Sequence, residues 1–168
     1  MFYYDVLEEF HRRRIRYMIA GGLSVNLHGI PRVTHDIDVV IALDRDNIFR
    51  VIEVMKKLDY APGLPVDAEE LADADKRRLW TDEKNLIAFS FRHRKHDFRR
   101  VDIILVHPLN FDEAYKRKTS KRLRDFEIDI VSIDDLIKMK EFSGRSQDMA
   151  DIAMLNKVKK FLGGQDGE

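Results

Sequence analysis

The sequence predicts an α/β chain of the α+β kind, a mixed β-sheet with helices packed on it, and three observations lead there. Apolar runs of strand length at 36–42, 86–92 and 98–106 are each short and rich in β-branched or aromatic residues. Helical spacing of apolar residues recurs at 3–12, 47–58 and 132–143. A glycine pair, Gly21-Gly22, joins a short strand to a helix ahead of a run opened by two carboxylates, Asp36 and Asp38.

Tyr3, Val6, Leu7 and Phe10 stand at i, i+3, i+4 and i+7, so 3–12 reads as an amphipathic helix whose face fills the core. Arg16 to Ala20 is a strand. Gly21-Gly22 turns it into a helix at Leu23 to His28; glycines there let the backbone approach a ligand, and exposed N–H groups suit a phosphate anion. Ser24 is the nearby hydroxyl that suits the same anion. Gly29-Ile30-Pro31 breaks that helix. Arg32 precedes the acids by four residues, placed to pair with a carboxylate or to grip phosphate with its planar fork. His35 alternates to the other face from Asp36, hence packing or surface.

Ile48, Val51, Ile52 and Met55 make 47–58 a core-facing helix. The acidic stretch Asp67 to Asp75 reads as a short solvated helix. Leu86 to Arg92 and Phe98 to Val106 form a hairpin through a basic turn, with Asp102 inside it; His93 and His96 are read as solvated. Asn110 to Arg124 holds the densest basic cluster. Phe126 to Val131 is a strand, expected at a sheet edge where Glu127 and Asp129 discourage misassociation. Ser132 opens a helix that Gly144 stops. Lys140 falls on its core-facing stripe, i+4 from Leu136, and so requires an anionic partner or a path to water; a triphosphate or a catalytic carboxylate is the expected partner. Ser146 starts the last helix, with Ile152, Leu155 and Leu162 on its apolar stripe. Asp148 and Asp151 are read there as architectural ion-pair partners for Lys140 or Arg145. One domain over 1–162 is expected, followed by a disordered tail at 163–168.

In a strand over 36–42, Asp36, Asp38 and Val40 share one face, and Ile37, Val39 and Ile41 the other. Adjacent carboxylates repel unless a divalent cation or a strong cationic partner holds them, and a third, Asp102, interrupts another apolar strand. Three acids on two strands suggest two metal ions about 3.5–4 Å apart, the arrangement that assists in-line attack on phosphorus.

Gly21-Gly22, the spaced Asp36-Ile37-Asp38 and the strand-borne Asp102 together resemble the nucleotidyltransferases of the DNA polymerase beta superfamily. Arg32-x-Thr34-x-Asp36-Ile37-Asp38 and the later Lys140, Arg145, Asp148 and Asp151 resemble most closely the AbiE-type toxin subgroup, over roughly Ile15 to Leu155. The resemblance implies a nucleotidyltransferase fold and transfer of a nucleoside monophosphate from an NTP, such as ATP, to an acceptor hydroxyl of RNA, protein or a small molecule. It implies two Mg²⁺, or Mn²⁺, on Asp36, Asp38 and Asp102, with Asp102 as general base. Gly21, Gly22 and Ser24 would cradle phosphate, and Arg32 and Lys140 would offset its charge. A toxin–antitoxin partner protein is also implied. A non-catalytic binding module and a metal-dependent nuclease are the competing classes. Three retained acids disfavour the first, and the glycine loop disfavours the second.

Lys plus Arg and Asp plus Glu each total 30, so no whole-molecule field marks a nucleic-acid or membrane partner. Any RNA contact rests on local clusters, 116–124 and the arginines between 92 and 100, if both flank the acids. The absence of cysteine is compatible with a reducing cytosol. No run reaches membrane-spanning length and the start lacks a signal pattern, so a cytoplasmic protein is expected.

Overall fold

A computed structural model describes residues 3–164. In chain order the elements are α1 Tyr3–Arg12, β1 Tyr17–Ala20, α2 Gly21–Leu27, β2 Asp36–Ile41, α3 Arg45–Lys57 and β3 Tyr60–Pro62. A 3-10 turn at Ala68–Ala72 leads to α4 Ala74–Asp82, β4 Ala88–His93, β5 Arg100–Ile104 and α5 Phe111–Lys116. The chain continues through β6 Thr119–Leu123, β7 Phe126–Ile130, α6 Ile133–Ser143 and α7 Ser146–Gly163. Gly163 thus ends a helix, and the expected tail from 165 onward lies outside the described residues.

The strands form one mixed sheet in the order β3-β4-β5-β2-β1-β7-β6. β2 runs parallel to β5 and β1 to β7; the remaining neighbours are antiparallel. Alternation along the strands divides the core in two. Ile37, Val39 and Ile41 join Phe89, Phe91, Val101 and Ile103 against Leu7 and Phe10 of α1 and Ile48, Val51 and Met55 of α3. Val40, Met18 and Ala20 face the other way, onto Val25 of α2, Ala114 of α5, Leu136 of α6 and Leu155 of α7. The period of two that splits the hydrophobics also puts Asp36 and Asp38 on the second face, beside α2 and the α6–α7 pair. Asn47, fully buried, fixes the start of α3: its Nδ2 donates to the carbonyls of Arg16 and Ala42, and its Oδ1 accepts from the Arg16 N–H.

Local signals set the helix ends. The Asp44 carboxylate caps α3 by accepting from the Asn47 N–H, and Ser132 caps α6 by accepting from Asp135. Gly144 closes α6 in the left-handed region at φ 65°.

Three expectations are corrected. β7 is not an edge strand; β6, a polar strand absent from the sequence reading, covers it and takes the edge. The acidic stretch after Asp67 is not purely solvated, because Ala68 and Leu71 are buried beneath it. α4 follows, anchored by buried Trp80 against Phe89. Leu162, placed on the buried stripe of α7, is 49% exposed, since the helix runs past the core that ends near Leu155. No helix among the described residues is long and apolar enough to cross a membrane.

Candidate active site

Register brings the acids together. Asp38 of β2 lies between Ala20 of β1 and Asp102 of β5, and Ser90 of β4 continues the row; Asp36 stands opposite Arg100 in the row above. One carboxylate oxygen from each of Asp36, Asp38 and Asp102 lies within 4.8 Å of the others. Arg100, on the same face, pairs with Asp36 and places its Nε 3.0 Å from Asp102 Oδ2. One guanidinium against three acids leaves the cluster electron-rich. Burial, then the neighbouring charges of Asp36 and Asp102, push the Asp38 carboxyl up to about 7, against the opposing pull of Arg100 and Arg145. Burial also raises Asp102, although Ser90 and Arg100 hold it down in part.

Glycine at 21 serves the acids first. Its φ is +59°, and a Cβ there would lie 2.0 Å from Asp38 Oδ2, so the carboxylate occupies the space that any side chain would fill. The glycines form the first turn of α2 itself, directly after Ala20. A Cβ on Gly22 would meet Thr34 Oγ1 at 3.1 Å and the Arg32 guanidinium carbon at 3.4 Å. The loop after α2 is thereby drawn over the glycine pair. Asn26 fastens it, accepting from the Arg32 N–H and donating to the Arg32 carbonyl, both at 2.6 Å.

The other predicted residues fall in three places. Arg32 reaches the glycine turn and pairs with Asp151 of α7. Lys140 is buried with its Nζ 2.8 Å from Asp151 and 3.2 Å from Asp148, so its anionic partners are the α7 carboxylates. Ser24 is fully buried and its hydroxyl has no hydrogen-bond partner among the described residues. Asp148 is drawn three ways: burial raises its carboxyl, but hydrogen bonds from Arg145, Lys140 and Ser143 outweigh that and leave it lowered. Arg145, mostly exposed, bonds Asp148 while its charge is felt at Asp38. Arg100, read from the sequence only as part of a basic cluster, and Arg145, read only as part of the downstream pattern and as a partner for Asp148, are the cations whose place beside the acids the sequence did not show. A cation two residues before Asp102 on one face of its strand was the available signal for the first.

The acids suit a hard divalent cation. All donors are carboxylate oxygens, and Asp102 Oδ1 is buried without a hydrogen-bond partner, an arrangement that costs free energy unless a cation completes it. His35 is exposed and is not part of the group.

Solved structures share the fold. The lincosamide antibiotic adenylyltransferase LnuA in its lincomycin-bound form superposes with a TM-score of 0.58 at 17% identity, covering 91% of this chain and 93% of that one. The structure of ANT(2")-Ia in complex with adenylyl-2"-tobramycin gives 0.55 at 10% identity, with 94% and 91% covered. An antigenic nucleotidyltransferase-like protein from Paracoccidioides brasiliensis gives 0.51 at 17%, with 89% and 71% covered. A comparison with curated proteins finds no match in sequence. One family profile, described as a nucleotidyltransferase of unknown function (DUF6036), matches residues 5–160, the span that holds the sheet, the three acids and the Lys140 network alike. The chain belongs to that family and is a nucleotidyltransferase.

Proposed function

We propose that the protein transfers a nucleoside monophosphate from an NTP, ATP being the donor that the adenylyltransferase neighbours support, to an acceptor hydroxyl. The single observation that carries the reading is the convergence of Asp36, Asp38 and Asp102 beside the Gly21-Gly22 turn. Two magnesium or manganese ions held by these carboxylates would polarise the α-phosphate and acidify the acceptor hydroxyl. Backbone N–H groups at the glycine turn and the Arg32 fork bind the β- and γ-phosphates. Asp102 is the base nearest the acceptor and takes its proton. The hydroxyl oxygen then bonds to the α-phosphorus, the bond from that phosphorus to the bridging oxygen breaks, and pyrophosphate leaves. Arg100 orients Asp36 and Asp102, and Arg145 offsets charge that builds on the departing phosphates. Lys140 acts at one remove. It neutralises Asp151 and Asp148 so that Asp151 can steady Arg32 at the turn.

The AbiE-type pattern supports RNA as acceptor and a toxin–antitoxin partner, and the neighbours with lincomycin and tobramycin support small-molecule acceptors. The test is incubation with Mg²⁺ and each NTP labelled at the α- or the γ-phosphate, alone and with RNA, lysate proteins or small-molecule hydroxyl compounds. The expected result is α-label on an acceptor, with γ-label released as pyrophosphate. Release of the γ-label as inorganic phosphate, with no α-label transferred, would contradict the reading.

A further inference from the structure

The face that carries the acids is covered only in part. Its core draws on Met18 and Ala20 of β1, Val40 of β2 and Val131 after β7, beneath α2, α5, α6 and α7, while no residue of β3 or β4 belongs to it. Beyond Asp102 the sheet therefore continues as an open floor on the acid side, through Ser90 and Arg92 of β4 to Ala61 of β3. Arg92 is exposed and stands in the row Asp36–Arg100–Arg92, one strand from Arg100 and two from Asp36, or about 10 Å from Asp36 at ordinary strand spacing. Apart from Asp102, the residues of β3, β4 and β5 include no acid. The Arg92 side chain is laid along Gly63, where a Cβ would come within 3.2 Å of its Nε. Gly63 in turn donates its N–H to the Ser90 carbonyl at 2.8 Å, which fixes the strip on which the guanidinium rests. No described side chain pairs with Arg92. Once divalent cations engage the three carboxylates, Arg100 and Arg92 supply the charge of this floor, and it is positive.

We infer that the acceptor of the transfer reaction lies on the β5–β4–β3 floor and carries a phosphate group, which Arg92 binds and by which Arg92 selects it. A guanidinium presents paired donors that match phosphate oxygens, and a polycationic acceptor would meet repulsion on the same floor. The inference rests on the transferase reading for the identity of the site, and adds the charge class of the acceptor. A phosphate of this kind belongs equally to a nucleic-acid strand or to a small phosphorylated metabolite.

The test measures binding rather than turnover. Fluorescence anisotropy is recorded with a fluorescein-labelled single-stranded RNA of roughly ten nucleotides, with ribose 5-phosphate as competitor, and separately with fluorescein-labelled tobramycin as a cationic probe. The proteins are the parent, Arg92→Gln, Gly63→Ala and Arg14→Gln, the last an arginine outside the sheet. Arg92→Gln is expected to weaken RNA binding about tenfold or more, the scale of one charge-assisted hydrogen bond, and to flatten the salt slope by about 0.7. Gly63→Ala, which displaces the guanidinium without removing it, is expected to give a smaller loss, and Arg14→Gln none. Competition by millimolar ribose 5-phosphate, lost in Arg92→Gln, identifies a small phosphorylated acceptor; its failure beside tight, Arg92-dependent RNA binding identifies a strand. Either supports the inference. RNA and ribose 5-phosphate binding that is absent or indifferent to Arg92→Gln would overturn it, as would tighter binding of tobramycin than of RNA. The thermal shift given by ATP with Mg²⁺ separates the two levels. Its absence in the parent counts against the transferase reading, whereas its retention in Arg92→Gln shows that the NTP side is intact.

Discussion

Gly21 shows how a residue read for its conformational freedom can serve a second purpose that its local sequence does not reveal. Its sequence context, strand then glycine pair then helix, points to close approach by a ligand; in the structure the approaching group is Asp38, held there by the pairing of Asp38 with Ala20 across β1 and β2. That pairing is tertiary and leaves no local trace. Gly21→Ala is expected to combine left-handed strain of about 1–3 kcal/mol with displacement of the carboxylate, so melting temperature and transfer should fall together; a normal melting point with full transfer would show that Asp38 tolerates eviction. Asp38 also sets a pH dependence. Its folded carboxyl titrates near 7, above the unfolded value, so the folded state holds the proton more tightly. The contribution of this group to stability is complete below about pH 4, near the unfolded value, and is lost as pH rises through 7. In chelator, melting temperature should decline across that window, and Asp38→Asn should flatten the decline. Equal slopes for the two proteins would show that the carboxyl is not perturbed.

Among the elements, α6 was legible from end to end because its signals are local: a serine cap, an apolar stripe and a glycine stop. Lys140 was legible as a buried cation in need of an anion, but the identity of the anion depends on how α7 folds back, and there Asp148 and Asp151 take it. β6 and α4 escaped notice for a shared reason. Thr119–Leu123 and Ala74–Asp82 are mostly polar or charged, so neither shows the clean apolar period that marks an element before its neighbours are known. Removing the Lys140 charge should leave two buried carboxylates short of a cation: Lys140→Met is expected to cost about 3–5 kcal/mol in denaturant unfolding and to weaken NTP binding through Arg32. Lys138→Met, on a 59% exposed side chain, should stay within about 0.5 kcal/mol. Similar losses for the two variants would refute the internal ion-pair account.

At the scale of the whole molecule, the sheet order decides which charges can serve the site. The dense basic run from Lys116 to Arg124 lies around β6, at the opposite edge from β3 and three strands from β2, and much of it is already engaged. Lys116 meets Glu113, Arg117 meets Asp135, Lys118 meets Asp129, and Arg124 covers the Tyr4 ring. The two basic clusters therefore do not both flank the acids; only the arginines of β4 and β5 do. Lys116→Gln with Arg122→Gln should leave the salt dependence of RNA binding unchanged, and a flattened slope would place the strand at the β6 edge instead. Sequence could supply the run of charges but not the strand order that separates it from Asp102.

The account stands on Asp36, Asp38 and Asp102 acting as a divalent-cation site, and the most direct measurement is electron paramagnetic resonance of Mn²⁺ titrated into the protein in the presence of a non-hydrolysable ATP analogue. Two bound ions are expected for the parent protein, with binding lost or sharply weakened in Asp36→Asn, Asp38→Asn and Asp102→Asn while each variant keeps its fold by circular dichroism. Manganese bound equally well by the parent and all three variants would contradict it.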